Sequence, residues 1–202
     1  VGLMLTAVGG TPIEAWLSAE EINALGGYEE VVAQCKDDNF IKKTTDSELK
    51  QHNDWYSRLN QKDTGLQKDG IPWSAVELDD SEWDTFLLPK SWQDTALEDV
   101  HGVVWFRKKV HLAEEMLEHG ALLRLGAIID ADQAYINETL VGQTDYKYPP
   151  RKYQVPPGIL RPGTNTIAIR VICNRGVGGF VEDKKYTLEM GSNEVDLSGP
   201  WK

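Results

Sequence analysis

The sequence predicts a mainly β fold, an antiparallel β-sandwich or jelly roll that follows a short βα stub and a helical segment. The clearest strand is Asn165–Cys173, in which Ile167, Ile169 and Val171 recur at a period of two and so share one face. Arg161–Thr164, directly before it, contains the Pro-Gly pair of a tight reversal. Several further short apolar runs are separated by turn residues, which is typical of sandwiches. The alternation in Asn165–Cys173 predicts a half-buried strand.

The remaining strands are expected on both sides of this run. In the segment after Gly120, Leu123 and Leu125 lie on one side of the pleat and are predicted to be buried. We expect the sandwich to span about Asp69 to Met190. Its other strands are predicted at Val104–Leu112, Ala121–Gly126, Gln133–Asn137, Leu140–Gly142 and Lys185–Met190.

The N-terminal stretch reads as a strand, a turn and the start of a helix. Val1–Val8 is almost continuously apolar, as in a strand buried on both faces of a parallel sheet. Gly9 and Gly10 interrupt it, and Thr11–Glu14 has the pattern of a capping box with proline at the first helical position. Backbone N–H groups at such a turn can bind an anion or a developing oxyanion. The alternative is a tight βα turn without chemistry.

Residues 18–68 are predicted to form a helical connecting segment. Ser18–Glu21 is a second capping box, and the helix it starts is expected to end at Gly26. Tyr28–Lys36 carries apolar residues at helical spacing, and Thr45–Glu48 is a third capping box that predicts a polar helix through Asn60. The polar composition places these helices on a surface.

Composition excludes several classes of function. The formal net charge of −11 over 202 residues disfavours nucleic acid as a partner, because tracking phosphates requires clustered Lys and Arg. No segment reaches the ~20 apolar residues of a membrane span, so no membrane partner is expected. The histidines lack metal-ligand spacing and no Gly-x-Ser-x-Gly motif is present, so we predict no metal and no cofactor. The acidic pairs Asp37-Asp38 and Asp79-Asp80 are interpreted as solvated turns.

A stiff aromatic connection lies between the predicted strands. Tyr146, Tyr148 and Tyr153 flank the pair Pro149-Pro150. Exposed aromatic rings can stack on sugars, so these three tyrosines are candidate carbohydrate contacts. The alternative is that the rings close the ends of the sandwich core, as buried aromatics commonly do.

Five short motifs together resemble the galactose-binding-like jelly roll that accompanies many carbohydrate-active enzymes. The resemblance covers about the second two-thirds of the chain and implies a scaffold rather than an activity. The motifs are Trp105–Arg107, Leu123–Leu125, Ala134–Asn137, Val141-Gly142 and Pro162–Val171.

The segment Gly9–Trp16, GGTPIEAW, resembles a motif of the sialate O-acetylesterases, which are SGNH hydrolases. In that family a β-sandwich interrupts the catalytic α/β domain, and the chain returns through a segment similar to Asp196–Lys202. The resemblance implies that residues 1–17 are a stub of the catalytic domain and that 69–202 are the inserted sandwich. The nucleophilic serine and the Asp/His pair would lie outside this sequence. Gly9 or Gly10 would then supply an oxyanion-hole N–H.

The resemblance therefore implies an insert-domain fragment that is inactive alone. Its partners would be the rest of the esterase catalytic domain and an O-acetylated sugar such as sialic acid, in a secreted, periplasmic or lumenal enzyme. Two other hypotheses remain open, an autonomous carbohydrate-binding module and a structural spacer. An exposed, coplanar set of aromatic rings would favour the module, and fully packed rings would favour the spacer.

Overall fold

The computed structural model describes residues 10–66, 70–117 and 120–202. The chain divides into two compact units between Ser57 and Arg58. The boundary predicted at residues 68/69 lies 11 positions after this division. The predicted strand Val1–Val8 and the adjacent Gly9 lie outside the described residues.

The first unit is helical, and only one of the predicted capping boxes in it is formed. Ser18 accepts a hydrogen bond from the Glu21 N–H, and the Glu21 carboxylate accepts one from the Ser18 N–H, as predicted. The box predicted at Thr11 is wrong, because a 3-10 helix begins there without a side-chain cap and the Thr11 hydroxyl instead accepts from the Trp16 indole. The helical elements are the 3-10 helix Ile13–Trp16, α1 (Ala19–Leu25), α2 (Glu29–Lys36) and α3 (Asp38–Lys62).

Helix α3 begins earlier than the sequence predicted. It runs without interruption through Thr45–Glu48, so the capping box expected there is wrong. The N-terminal N–H groups are satisfied at Asp37, whose carboxylate accepts from the Asn39 and Phe40 amides at 2.9 and 3.3 Å. Asp37 is therefore a helix cap rather than part of a solvated acidic turn.

The second unit is an antiparallel β-sandwich, which confirms the predicted fold class. The strands are β1 (Phe86–Leu88), β2 (Gly102–Leu112), β3 (Ala121–Leu125), β4 (Ile128–Ile129), β5 (Ala131–Ile136), β6 (Thr139–Thr144), β7 (Lys152–Val155), β8 (Gly163–Cys173), β9 (Gly179–Phe180), β10 (Tyr186–Met190), β11 (Asn193–Asp196) and β12 (Gly199–Trp201). A 3-10 helix, Thr64–Leu66, precedes the strands, and another, Glu114–Leu117, follows β2. One four-stranded sheet has the order β11-β10-β3-β7 and the other the order β2-β8-β5-β6, while β1-β12 and β4-β9 are two-stranded pairs.

The core lies between the two four-stranded sheets. The five residues predicted to be buried are completely inaccessible, and they belong to one apolar cluster that draws on both sheets. Burial at a period of two in β3 confirms the predicted strand faces. The five are Leu123, Leu125, Ile167, Ile169 and Val171.

Strand β8 is buried on both faces, so its interpretation as half-buried is wrong. On the face opposite the core, Arg170 donates to Asp63 at 2.6 Å and to Asn60 at 2.8 Å. The Asp63 carboxylate also accepts from the Trp105 indole at 3.0 Å. Gly65 permits this close approach, because a Cβ there would collide with the Trp105 ring. The last turn of α3 and the residues that follow it thus cover the outer face of the sheet.

The interpretation of Asp79-Asp80 as a solvated turn is wrong for its second residue. Asp80 is 8% exposed and binds Arg107, whose Nε lies 2.8 Å from the Asp80 carboxylate. Burial opposes ionisation, but the Arg107 hydrogen bond and charge, with Lys109 nearby, lower the pKa of Asp80 below its ordinary value. Asp80 is therefore the buried ion-pair partner of Arg107, which lies on strand β2.

Candidate carbohydrate-contact site

The loop that carries Tyr146 and Tyr148 is anchored by hydrogen bonds from the buried side chain of Arg151. Arg151 Nη1 donates to the carbonyl oxygens of Lys147 and Pro149, at 3.1 and 2.7 Å. Its Nη2 donates to two further carbonyl oxygens at 2.8 and 3.1 Å, those of Ile128 and Asp130. The planar guanidinium thereby fixes the loop between β6 and β7 against the β4–β5 connection.

The same arginine forms a buried ion pair. Arg151 Nε lies 2.6 Å from Asp132, and both side chains are fully inaccessible. The other Asp132 oxygen accepts from the Tyr153 hydroxyl at 2.8 Å, and that hydroxyl also lies 2.8 Å from the Thr144 hydroxyl. Burial raises the pKa of the Asp132 carboxyl, against the opposing effects of Arg151 and Tyr153. Each group in this network has a partner, so the network stabilises the loop rather than presenting a reactive group.

Tyr153 does not belong to a ligand-facing surface. It is only 8% exposed, and its ring packs so tightly against Gly142 that a Cβ at that position would overlap it. Burial and the adjacent Asp132 raise the pKa of the Tyr153 hydroxyl. The prediction that Tyr153 contacts a sugar is corrected on these grounds, since its ring is part of the sandwich.

Tyr146 and Tyr148 are exposed, and their rings form a corner. Their exposed fractions are 57% and 75%, with ring centroids 6.1 Å apart and planes inclined at 71°. The Lys147 Nζ lies 5.1 Å from the centre of the Tyr148 ring. The two rings are therefore not a flat platform. They offer two inclined faces with one ammonium group beside them.

The glycines assigned to an oxyanion site receive little support from their surroundings. Gly9 lies outside the described residues. Gly10 is exposed and has a φ of 81°, and a Cβ there would meet nothing within 4 Å. Its role as an oxyanion donor stays a prediction that depends on the resemblance to esterases.

A second aromatic surface was not identified as a site from the sequence. A cleft of about 880 Å³ lies beside the Val103–Phe106 part of β2 and is bordered by Trp73, Trp83 and Phe86. The Trp73 and Trp83 rings meet edge to face at 4.9 Å. The sequence showed recurring tryptophans here, but their convergence depends on how the loop before β1 returns to β2.

The described residues offer no obvious metal site and no bilayer-spanning helix. Nowhere in the described ranges do three or more His, Cys, Asp or Glu side chains gather in a way that could hold an ion. Within residues 10–66, 70–117 and 120–202, every helix is too short or too polar to cross a membrane.

Comparison with known proteins yields β-glucuronidases. A protein named "Putative beta-glucuronidase" from Formosa agariphila is 26% identical over 119 residues, which cover 52% of this chain and 11% of that protein. A calcium-binding mutant of Bacteroides uniformis β-glucuronidase 2 is 26% identical, with a TM-score of 0.47 over 52% of this chain and 14% of that chain. The same enzyme covalently bound to cyclophellitol-6-carboxylate aziridine is 22% identical, with a TM-score of 0.49 over 67% of this chain and 16% of that chain. No family model matches the sequence.

The match to a curated protein corrects the predicted relationship to sialate O-acetylesterases. The curated relative is a glycosidase by name and not an SGNH esterase, so the esterase-insert interpretation of the function is wrong. The physical reason is that a sandwich scaffold is shared by enzymes of unrelated chemistry. The sandwich motifs could not distinguish between those enzymes, so the esterase assignment depended on the short segments Gly9–Trp16 and Asp196–Lys202 alone. The chain spans about one-ninth of the curated relative that it matches.

Proposed function

We propose that this chain is a non-catalytic, carbohydrate-associated β-sandwich domain of a larger glycoside hydrolase of the β-glucuronidase kind. The observation that carries the proposal is the sequence match to a protein named as a β-glucuronidase, of which the match covers only 11%. A match of that extent is what one domain of a multidomain enzyme produces. The remainder of such an enzyme would be the partner of this domain.

The state of the buried carboxylates supports a non-catalytic role. Glycoside hydrolysis uses two carboxyl groups that face the scissile bond, one as acid and one as base or nucleophile. In the sandwich, Asp63, Asp80 and Asp132 are the acidic partners in the most buried ion pairs. Each is bound to an arginine at 2.6 to 2.8 Å. Groups held in this way maintain the fold and are not available to a substrate.

The corner formed by Tyr146 and Tyr148 is the proposed sugar contact. Two inclined rings can cover two sides of a pyranose, and the nearby Lys147 ammonium can pair with a carboxylate. This combination suits an acidic sugar such as a uronic acid. Arg151 anchors the loop, which reduces the entropy that the loop loses when a ligand binds.

Titration calorimetry on the whole chain tests this proposal. A glucuronic-acid-containing oligosaccharide is compared with a neutral glucose oligosaccharide of the same length. We expect the acidic ligand to bind more tightly, Tyr148→Ala to weaken binding about tenfold, and Lys147→Met to abolish the preference between the two ligands. Leu140→Ala is the matched control, because Leu140 is 46% exposed on β6 and lies outside the loop.

The outcomes separate the two parts of the proposal. Unchanged affinity in Tyr148→Ala would contradict the sugar contact at this loop. Hydrolysis of p-nitrophenyl β-D-glucuronide by the purified chain, lost on adding a glycosidase inhibitor, would contradict the non-catalytic role.

A structural role is a second candidate function. The observation that favours it is the packing of Tyr153 into the core together with the inclination of the remaining two rings. In that case the loop that carries Tyr146 and Tyr148 would pack against a neighbouring domain of the enzyme and help to position it. Absence of binding to both oligosaccharides, with the fold intact, would support this candidate over the first.

A further inference from the structure

Two loops leave the same end of the sheet β2-β8-β5-β6. Asp132, near the start of β5, pairs with Thr144 of β6 on one side and with Val171 of β8 on the other. The loop that follows β6 (the tyrosine loop, 145–151) and the loop that follows β8 (the arginine loop, 174–178) therefore flank the start of β5. Strands β6 and β8 are two strand spacings apart, which is roughly 9–10 Å.

Asp130, directly before β5, connects the two loops. Its carbonyl oxygen accepts a hydrogen bond from Arg151 Nη2 at 3.1 Å, and Nη1 of the same arginine holds two carbonyl groups of the tyrosine loop. The Asp130 carboxylate accepts from the N–H groups of Asn174 and Arg175, at 2.9 and 3.4 Å. One residue thus fixes the beginning of the arginine loop to the anchor of the tyrosine loop.

The arginine loop is also fixed at its other end. The Trp92 N–H donates to the Gly178 carbonyl at 3.0 Å, and a Cβ at Gly178 would overlap the Trp92 ring. Between the two fixed ends, Asn174 and Arg175 are exposed. Among the described residues, the Arg175 guanidinium has no hydrogen-bond or ion-pair partner. Its charge is therefore available to a ligand, and the loop loses little entropy on binding.

Lys147 and Arg175 place one exposed cation on each side of Asp130. The formal net charge of −11 gives no long-range attraction for an anion, so an anionic ligand must be held by local groups of this kind. Asp145, exposed in the tyrosine loop, opposes an anion on that side, whereas one Asp130 oxygen is engaged by two N–H groups. A guanidinium can bind a carboxylate through two parallel hydrogen bonds, which suits Arg175 to a uronic acid.

We propose that Arg175 extends the sugar contact at Tyr146 and Tyr148 into a site for an oligosaccharide that contains neighbouring uronic acids. One uronic acid lies against the tyrosine rings beside Lys147, and Arg175 binds the carboxylate of the next sugar. A disaccharide, unlike a monosaccharide, is long enough to reach from one loop to the other across the start of β5. This inference rests on the proposed sugar contact and names the class of sugar that the contact accepts.

Titration calorimetry on the whole chain compares two disaccharides of the same linkage. One contains two glucuronic acids, and the other contains one glucuronic acid and one glucose. We expect the parent to bind the first about tenfold more tightly, and Arg175→Gln to remove that difference while affinity for the second stays within about twofold. Arg161→Gln is the matched control, because Arg161 is exposed before the opposite end of β8 and its replacement changes the net charge equally.

NMR chemical shifts locate the second sugar. The amides of Lys147 and Tyr148 should shift with both disaccharides. The amides of Asn174 and Arg175 should shift with the disaccharide of two glucuronic acids and remain in place with methyl β-D-glucuronide, which is too short to span both loops.

The results separate this inference from the proposed sugar contact. Equal affinity of the parent for both disaccharides, a preference that survives Arg175→Gln, or the same loss of preference in Arg161→Gln would each overturn the role of Arg175. Weaker binding by Tyr148→Ala in the same experiments would leave the contact at the tyrosine loop standing. Unchanged affinity in Tyr148→Ala, or no binding of either disaccharide, would overturn that contact and this inference with it.

Discussion

The two units of this chain both contain regular secondary structure but bury their side chains to very different extents. In the helical unit, none of the described residues from Gly10 to Ser57 is buried, and Ile13, Leu25 and Leu49 are 74%, 64% and 56% exposed. In the sandwich, the core strands contain runs of completely inaccessible residues. Helix α2 has eight residues, which is shorter than the ~12 to 15 that an isolated helix needs for stability in water.

The difference shows that local sequence signals determine where helices begin, whereas tertiary burial supplies the stability of the fold. Capping residues determine where α1 and α3 begin, but they contribute only about 1 kcal/mol each. Burial of apolar surface, at roughly 25 cal/mol per Å², supplies most of the stability of a domain. We therefore expect substitutions in the sandwich to affect unfolding far more than equivalent ones in the helices.

The largest effect is expected from a charge in the core. Ile169→Asp should prevent folding, because an unpaired buried charge costs several kcal/mol against a total stability of roughly 5–15 kcal/mol. Val31→Asp in α2 is the matched control, since Val31 is 54% exposed and its replacement should change stability by less than about 0.5 kcal/mol. Circular dichroism melting measures the stability of both variants. An Ile169→Asp variant that melts like the parent would show that the buried and exposed faces of β8 are assigned the wrong way round.

An intermediate, pH-dependent effect is expected at Asp80. Its pKa is lowered by Arg107, so its ionised form stabilises the fold above the unfolded value of about 3.8, and that contribution is lost as pH falls through the lower folded value. Asp80→Asn should cost about 3–5 kcal/mol near pH 7, because Arg107 is left buried without its counter-charge. In urea titrations, the difference in unfolding free energy between the parent and Asp80→Asn should narrow as pH falls from about 5 to 2. A difference that stays constant over this range would show that the ion pair is not the cause.

The smallest effect is expected at the N-terminus of α1. Ser18→Ala removes the cap on the Glu21 N–H and should destabilise that helix by about 1 kcal/mol. NMR chemical shifts of residues 19–25 should move toward coil values while the melting temperature of the sandwich stays unchanged. A large drop in the sandwich melting temperature would contradict a cap effect confined to α1.

Several features of the fold could be predicted because they depend on neighbours in sequence. The buried faces of β3 and β8 follow from apolar residues at a period of two, and the capping box at Ser18 follows from residues three apart. The start of α3 was mispredicted because two capping residues competed within the same stretch of sequence. Asp37 rather than Thr45 accepts hydrogen bonds from the first N–H groups of the helix.

The candidate site was only partly predictable. The exposed pair Tyr146 and Tyr148 lies where an aromatic loop between strands was expected. The burial of Tyr153 depends on its bond to Asp132, 21 residues earlier. The local sequence around a tyrosine at one end of a strand does not indicate whether its ring faces the core or the solvent.

By itself, the sequence determined the fold class, six of the strands and much of the core, because period-two patterning and turn chemistry act within a few residues. The six are β2, β3, β5, β6, β8 and β10. Only the tertiary structure decided the outer cover of β8, the ion pairs of the sandwich and the cleft beside β2. Asp63 and Arg170 are 107 positions apart, so their pairing is specified by the packing of whole segments and not by any local pattern. Covering the second face converted an amphipathic strand into a fully buried one.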